Sequence, residues 1–225
     1  MKVKYTLKKL HPGIYLCTIK DSYDLAMTFC RFQEFYESPI KEIYRKKFKL
    51  LKFMSIYSKK NGGSFTYPQD WGGFNVPGPV IADLFKLGID DYNDYDKIIE
   101  DIHTKINKEV NGTNNYYLIG SDENKRTIEH EYCHGLYFVD GEYKKIVDGI
   151  IKEMLPSVRK KAVSVLLGLG YDNSVMDDEL QAYLSTEFLS IKENTKLNKK
   201  ELENLTDVVL KLRHNFKHYR KKIKI

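Results

Sequence analysis

Two histidines flank a glutamate in the segment HEYCH, residues 130 to 134. If the segment is helical, the i, i+4 spacing places His130 and His134 on one face, one turn apart, so that both imidazoles can chelate one ion. Neutral imidazole nitrogens suit Zn²⁺ at about 2.0 to 2.1 Å. Glu131 lies one step round the helix and can reach a zinc-activated water as general base without binding the metal itself. The spacing therefore predicts a hydrolytic site for one zinc ion.

A catalytic zinc needs a third protein ligand and one open position for water. In the segment SVMDDELQAYLSTEF, Glu179 projects from the inward side of a predicted helix, between Val175 and Tyr183. Because an unpaired buried carboxylate is costly, an acid on an apolar face is usually paired with a cation or bound to a metal. A salt bridge to Arg126 or to a lysine is the structural alternative. We prefer Glu179 as the third ligand.

Other carboxylates compete for the same role. Glu153 follows His134 on the chain but lies near the polar edge of its predicted helix, whose apolar stripe includes Val147 and Ile151. Asp140 and Asp148 are further alternatives. Helical direction favours Glu179 over all three.

Two more roles have candidates around the metal. A transition-state oxyanion needs a hydrogen-bond donor besides zinc, and Tyr183, one turn from the preferred third ligand, is predicted to supply it ahead of Tyr137 or Tyr171. Asp177 or Asp178 is predicted to orient a ligand histidine, although acids in the first turn of a helix are equally explained by the helix dipole.

Hydrophobic periodicity and Gly/Pro breaks predict the elements that carry these residues. In the first part we expect strands at Ile14–Lys20 and Asn115–Gly120, helices at Ser22–Glu37, Lys47–Tyr57 and Asp94–Val110, and an ordered loop or irregular strand pair after Asn61. In the second part we expect helices at Glu123–Phe138, Gly141–Leu155, Ser157–Leu169, Ser174–Leu189 and Asn198–Lys222. The fold class is therefore α+β in one domain, 1–225, with a mixed α/β part at 1–120 and a helical part at 121–225 that carries the metal site.

Composition sets outer limits on function. The chain has 225 residues, 42% of them hydrophobic, which is enough for a packed core. Residues 211 to 225 carry seven Lys or Arg and no acid, so the net charge of +6 belongs to a basic C-terminal helix. Contact of this helix with nucleic acid or an anionic surface is the alternative to a merely solvated end.

Cysteine usage and the N-terminus suggest the compartment. Cys17, Cys30 and Cys133 form no CxxC pair and are expected to be reduced. The N-terminal segment MKVKYTLKKLHPG lacks an apolar signal region, and no apolar run approaches the roughly 20 residues of a membrane span. A cytoplasmic protein is the default expectation.

The motif HEYCH followed by a glutamate-bearing helix resembles the zincin metallopeptidases, in their gluzincin branch. The interval from His134 to Glu153 is similar to that of the aminopeptidase-type members. The segment DELQAY is similar to the downstream helix of the prenyl-protein-type and repressor-cleaving immunity-type peptidases, which continue with Asp or Asn where this chain has Tyr183. The resemblance covers about Asn115 to Phe188. It implies a zincin-like fold, one zinc ion and a peptide or protein substrate, paired along Asn115–Gly120 as an edge strand.

Three classes of function remain from the sequence. The first is a zinc metallopeptidase, the second a metal enzyme of another kind, such as a non-haem iron oxygenase using the same ligands, and the third a noncatalytic binding module. Glu131 discriminates between them, because only the hydrolase needs that residue as a base.

Overall fold

A computed structural model describes residues 3–171 and 173–220 of the chain. These residues form an α+β structure that is 63% helical and contains a four-stranded sheet. The elements run in the order β1 (Thr6–His11), β2 (Ile14–Thr18), α1 (Ser22–Glu37), α2 (Leu50–Lys60), α3 (Tyr67–Asp70), β3 (Gly73–Pro77), α4 (Gly78–Leu87), α5 (Asp94–Glu109), β4 (Tyr117–Ser121), α6 (Lys125–Val139), α7 (Gly141–Ile151), α8 (Pro156–Gly168), a 3₁₀ turn (Asn173–Val175), α9 (Met176–Thr186), α10 (Phe188–Glu193) and α11 (Lys199–Arg220).

The chain divides into two compact units, Met1–Ile128 and Glu129–Ile225. The division lies eight residues beyond the predicted change from a mixed to a helical part at residue 120. The α+β class is confirmed. Among the described residues, no helix combines the length and apolar character required to cross a membrane.

The sheet of the first unit has the strand order β1-β2-β4-β3. Strand β4 pairs in parallel with β2 and antiparallel with β3, and all five of its residues are buried. The prediction that this segment is an edge strand is therefore wrong. The side of β4 away from β2 pairs with Gly73–Pro77. The sequence predicted a loop or irregular strand pair for this segment, which forms the regular strand β3.

Helix α1 packs closely on this sheet. A Cβ added at Gly120 of β4 would lie 2.5 Å from the ring of Phe29, which stacks on Phe74 at 5.6 Å between ring centroids. On the same helix, the buried Arg31 guanidinium donates hydrogen bonds to Asp96 at 2.8 Å and to Asp91 at 2.9 Å. These paired carboxylates explain how α1 buries a charge.

The second unit is built around α9, which packs against α7, α8, α10 and α11. Helix α11 begins with a capping box, in which Asn198 accepts a hydrogen bond from the backbone of Glu201 and the Glu201 carboxylate accepts one from the backbone of Asn198. Lys161 of α8 also donates to Glu201 at 2.7 Å. These contacts fix the start of α11 against α8. The last part of the predicted basic segment, residues 221–225, lies outside the described residues.

The predicted helix Ser174–Leu189 is interrupted. Helix α9 ends at Thr186, and Glu187 has φ −125° and ψ 34° before α10 starts. The Thr186 hydroxyl donates to the carbonyl of Ala182 at 2.7 Å, a back-bond that competes with helical hydrogen bonding. The backbone N–H of Glu187 still donates to the carbonyl of Tyr183 at 2.7 Å, so Glu187 lies one turn after Tyr183 at the end of α9.

Candidate metal centre

Helix α6 presents two histidines on one face. Its first turn is capped by Asn124, whose side chain accepts hydrogen bonds from the backbone of Arg126 and Thr127. One turn further, His130 and His134 are 8% and 4% exposed, and their Nε2 atoms are 3.3 Å apart. Both side chains therefore direct the same nitrogen to one buried point, as the spacing predicted.

Helix α9 brings a carboxylate to that point. Glu179 is 6% exposed, and its Oε2 lies 3.8 Å from His134 Nε2. Ligand atoms of His130, His134 and Glu179 all lie within 4.8 Å of one another. Among the described residues, Glu179 Oε2 accepts no hydrogen bond. A buried acceptor left in this state is unusual, since most buried polar atoms have a partner.

A chain of polar contacts starts at Nδ1 of His134, the ring nitrogen that faces away from His130. The Asp178 carboxylate lies 2.9 Å from His134 Nδ1 and accepts a hydrogen bond from Gln181 at 3.0 Å. Gln181 in turn accepts one from the hydroxyl of Tyr143 at 3.0 Å. A proton on Nδ1 satisfies the carboxylate, so Nε2 is left with the lone pair that a metal needs. The predicted orienting role of Asp178 thus has a geometric basis, whereas Asp177 pairs with Arg159.

His130 has a different support. Its Nδ1 lies 3.2 Å from Glu187 Oε1 and 3.3 Å from Thr186 Oγ1, at the end of α9. Neither residue was predicted to belong to the site. Helical spacing could have found both, because they lie seven and eight residues after Glu179 and so on the same helical face.

Burial and charge perturb both sides of the cluster. Burial raises the pKa of Glu179 to about 7, against the opposing effect of the two imidazoles. Burial acts to lower the pKa of His134, but the nearby carboxylates of Asp178 and Glu179 outweigh it and hold that pKa well above its usual range. The cluster therefore retains protons in the metal-free protein. A divalent cation at the same point would compensate the carboxylates in place of those protons.

Glu131 and two tyrosines complete the surroundings. Glu131 is 8% exposed on α6, beside His130. The Tyr183 ring packs edge-on against the His130 ring, with 4.9 Å between the ring centroids. The Tyr183 hydroxyl lies 3.0 Å from that of Tyr171. Burial, followed by the charge of Glu179 and by the interactions with Tyr183 and Glu131, raises the pKa of Tyr171, and burial also raises that of Tyr183. Both hydroxyls are therefore neutral donors near the cluster at neutral pH.

The alternative third ligands lie elsewhere. Glu153 is half exposed and forms an ion pair with Lys211 of α11. Asp140 caps α7, and Asp148 accepts a hydrogen bond from Tyr137 at 2.6 Å. None of the three is part of the histidine cluster found among the described residues.

A cleft of about 810 Å³ opens beside the cluster, within the second unit. It runs along α8 and α10, and Tyr183 and Glu187 form part of its wall. Its remaining lining mixes apolar side chains such as Leu169 with hydroxyls such as that of Ser164 and with charged groups, among them Lys161 and Glu193. We refer to it below as the α8–α10 cleft.

Compared with known proteins, the chain matches no protein-family model, no curated protein and no solved structure. Fold and site together define an α+β chain with a buried His–His–Glu group that could hold a metal ion.

Proposed function

We propose that the chain is a zinc-dependent hydrolase of zincin-like type that cleaves peptide bonds. The observation that carries the proposal is the convergence of His130 Nε2, His134 Nε2 and the Glu179 carboxylate on one buried point. Both imidazoles are supported at Nδ1 by carboxylates. That arrangement is typical of histidines that bind zinc.

The distances suit a tetrahedral ion. Two nitrogens at about 2.0 to 2.1 Å from zinc in tetrahedral geometry are about 3.3 to 3.4 Å apart. His130 Nε2 and His134 Nε2 are 3.3 Å apart, whereas Glu179 Oε2 is 3.8 Å from His134 Nε2. A small movement of the Glu179 side chain would bring it into the coordination sphere. Three protein ligands leave the fourth position open, as catalysis requires.

The remaining residues supply proton transfer and charge stabilisation. When bound, zinc polarises a substrate carbonyl and lowers the pKa of a water molecule to about 7. Glu131 takes the proton of the attacking water and passes it to the leaving amine. Tyr183, beside His130, donates a hydrogen bond to the developing oxyanion, and Tyr171 holds the Tyr183 hydroxyl in place.

Glu131 also favours hydrolysis over the other classes. An iron oxygenase uses two histidines and one carboxylate but does not need a further carboxylate as a base. A binding module needs neither the base nor the metal. A buried glutamate next to His130 is what a hydrolase requires as its base.

Metal analysis combined with a peptide-cleavage assay tests this function. We expect the wild-type chain to purify with about one zinc ion, Glu131→Gln to keep the ion but lose more than about 100-fold in cleavage rate, and Glu179→Ala to lose the ion. Glu153→Ala is the matched control, because this glutamate pairs with Lys211 away from the cluster. It should keep both metal and activity.

Two results would refute the proposal. A wild-type chain that takes up no zinc would remove the metal centre altogether. Iron bound in preference to zinc, with Glu131→Gln unimpaired in any metal-dependent reaction, would favour the oxygenase.

A further inference from the structure

The imidazole of His130 meets two acceptors at Nδ1. Glu187 Oε1 lies at 3.2 Å and Thr186 Oγ1 at 3.3 Å. The Thr186 hydroxyl donates its own hydrogen to Ala182, so it presents only lone pairs to His130. Both neighbours therefore favour the tautomer with the proton on Nδ1 and the lone pair on Nε2, the nitrogen that faces His134.

The support of His130 differs from that of His134. Asp178 is held by Gln181, which is fully buried and hydrogen bonded to Tyr143. Glu187 instead follows the last residue of α9, and its side chain is 40% exposed. It also forms part of the wall of the α8–α10 cleft. The carboxylate beside His134 is thus held in the protein interior, whereas the carboxylate beside His130 lies at the cleft.

Building on the proposed function, we infer that Glu187 is a positioning residue for His130 and connects the metal centre to the α8–α10 cleft. Its carboxylate orients the ring and increases the electron density at Nε2 through the shared Nδ1–H. Thr186 holds the same proton with a neutral oxygen, so the charge on the imidazole depends on Glu187. Because this carboxylate faces the cleft, a substrate lying there touches the residue that supports a metal ligand.

The expected effect is on metal affinity. Partners of zinc-binding histidines contribute about 10- to 100-fold to affinity or activity. Glu187→Gln keeps the size of the side chain and an acceptor oxygen but removes the charge. We expect its zinc dissociation constant to rise by about 10- to 100-fold. The backbone hydrogen bonds at Glu187 involve Tyr183 and Ser190 and are unaffected by the substitution.

The experiment measures zinc affinity by competition with a chromophoric chelator, using the full chain. Glu193→Gln is the matched control, because it removes an exposed carboxylate from the same cleft wall, and Glu193 is not part of the histidine cluster found among the described residues. The visible spectrum of the cobalt-loaded protein reports on ligand geometry, and thermal melting of the metal-free protein reports on folding. We expect Glu187→Gln to weaken zinc binding and alter the cobalt spectrum, with metal-free melting unchanged and Glu193→Gln like the wild type.

The outcomes separate this inference from the proposed function. Tight zinc binding by wild type and Glu187→Gln alike would overturn the positioning role and leave the hydrolase standing. An equal loss of zinc affinity in Glu193→Gln would mean that only the general negative charge of the cleft matters. A loss of metal-free stability in Glu187→Gln that matches its loss of zinc affinity would mean that Glu187 has a structural role. Either result overturns the inference. A wild-type chain without zinc affinity would overturn the inference and the proposed function together.

Discussion

Replacing Glu179 by Gln should stabilise the metal-free protein while abolishing its response to zinc. Glu179 is 6% exposed, and burial raises the pKa of its carboxyl from the ordinary value of 4.5 to about 7. The native state therefore binds more protons at this residue than the unfolded state between these two values. Stability of the metal-free protein falls as the pH rises through this window, and the loss is complete above pH 7.

The magnitude follows from the two pKa values. At 1.36 kcal/mol per pH unit, ionising Glu179 in the native state costs about 3 kcal/mol at pH 8. Gln cannot ionise and escapes this cost. For a chain of this size, about 3 kcal/mol corresponds to a rise in melting temperature of roughly 6 to 12 °C. Replacing Glu179 also lowers the pKa of His134 and so removes part of the stabilisation of its protonated imidazole, but Asp178, the larger charge that raises this pKa, is present in both proteins.

Zinc should reverse the order of stability. At a free concentration 1,000 times its dissociation constant, a ligand that binds only the native state stabilises it by about 4.1 kcal/mol, which exceeds the cost of about 3 kcal/mol. The wild type should gain this stabilisation, and Glu179→Gln should not. Urea denaturation at pH 5 and pH 8, with EDTA or with zinc, measures all four conditions. Glu153→Gln, an exposed carboxylate paired with Lys211, is the control and should respond to zinc like the wild type.

Two observations would refute this reasoning. If Glu179→Gln were less stable than the wild type at pH 8 in EDTA, the carboxylate would be contributing to the metal-free fold. If zinc stabilised both proteins equally, Glu179 would not be a ligand.

Three further predictions concern other parts of the chain. Tyr183→Phe should retain zinc, measured by metal analysis, while kcat for peptide cleavage falls by about 100-fold, because an oxyanion donor is lost; unchanged kcat would exclude that role. Gly120→Ala should lower the free energy of unfolding by about 1 to 3 kcal/mol in urea titrations, because its Cβ would overlap the Phe29 ring at 2.5 Å; a neutral result would mean that α1 moves freely on the sheet. Hydrogen bonding from Lys161 lowers the pKa of Glu201 to about 2, so its stabilisation is present above about pH 4.5 and lost as the pH falls towards 2. Glu201→Gln should therefore have a lower urea midpoint than the wild type at pH 7 and a smaller difference at pH 3, and a difference independent of pH would contradict the assignment.

The parts of the site that depend on local geometry were predictable from the sequence. The i, i+4 spacing of His130 and His134 determines a shared helical face whatever surrounds it. Glu179 was predicted from an acid on an apolar helix face, and the structure confirms that it lies beside the histidines. Its binding of zinc and the catalytic roles of Glu131 and Tyr183 stay predictions.

The parts that depend on distant partners were not predictable. Strand β4 has the composition of any buried strand, and nothing within it tells whether one or two neighbours pair with it. Its central place follows from pairing with β3, a Gly- and Pro-containing segment far away on the chain. Glu187 escaped prediction for a related reason. Its place one turn after Tyr183 puts it on the same helical face, but the helix alone does not tell that His130 lies against the end of that face.

The three residues of the His–His–Glu group come from two helices that are far apart along the chain. A metal held by His134 and Glu179 would act as a cross-link closing a loop of about 45 residues that contains α7 and α8. In the chain-entropy treatment of cross-links, closing a loop of that length restricts the unfolded chain by about 4 kcal/mol. The connection between α8 and α9, which contains Gly170 at φ 101°, would then be far less accessible to proteases in the metal-loaded protein.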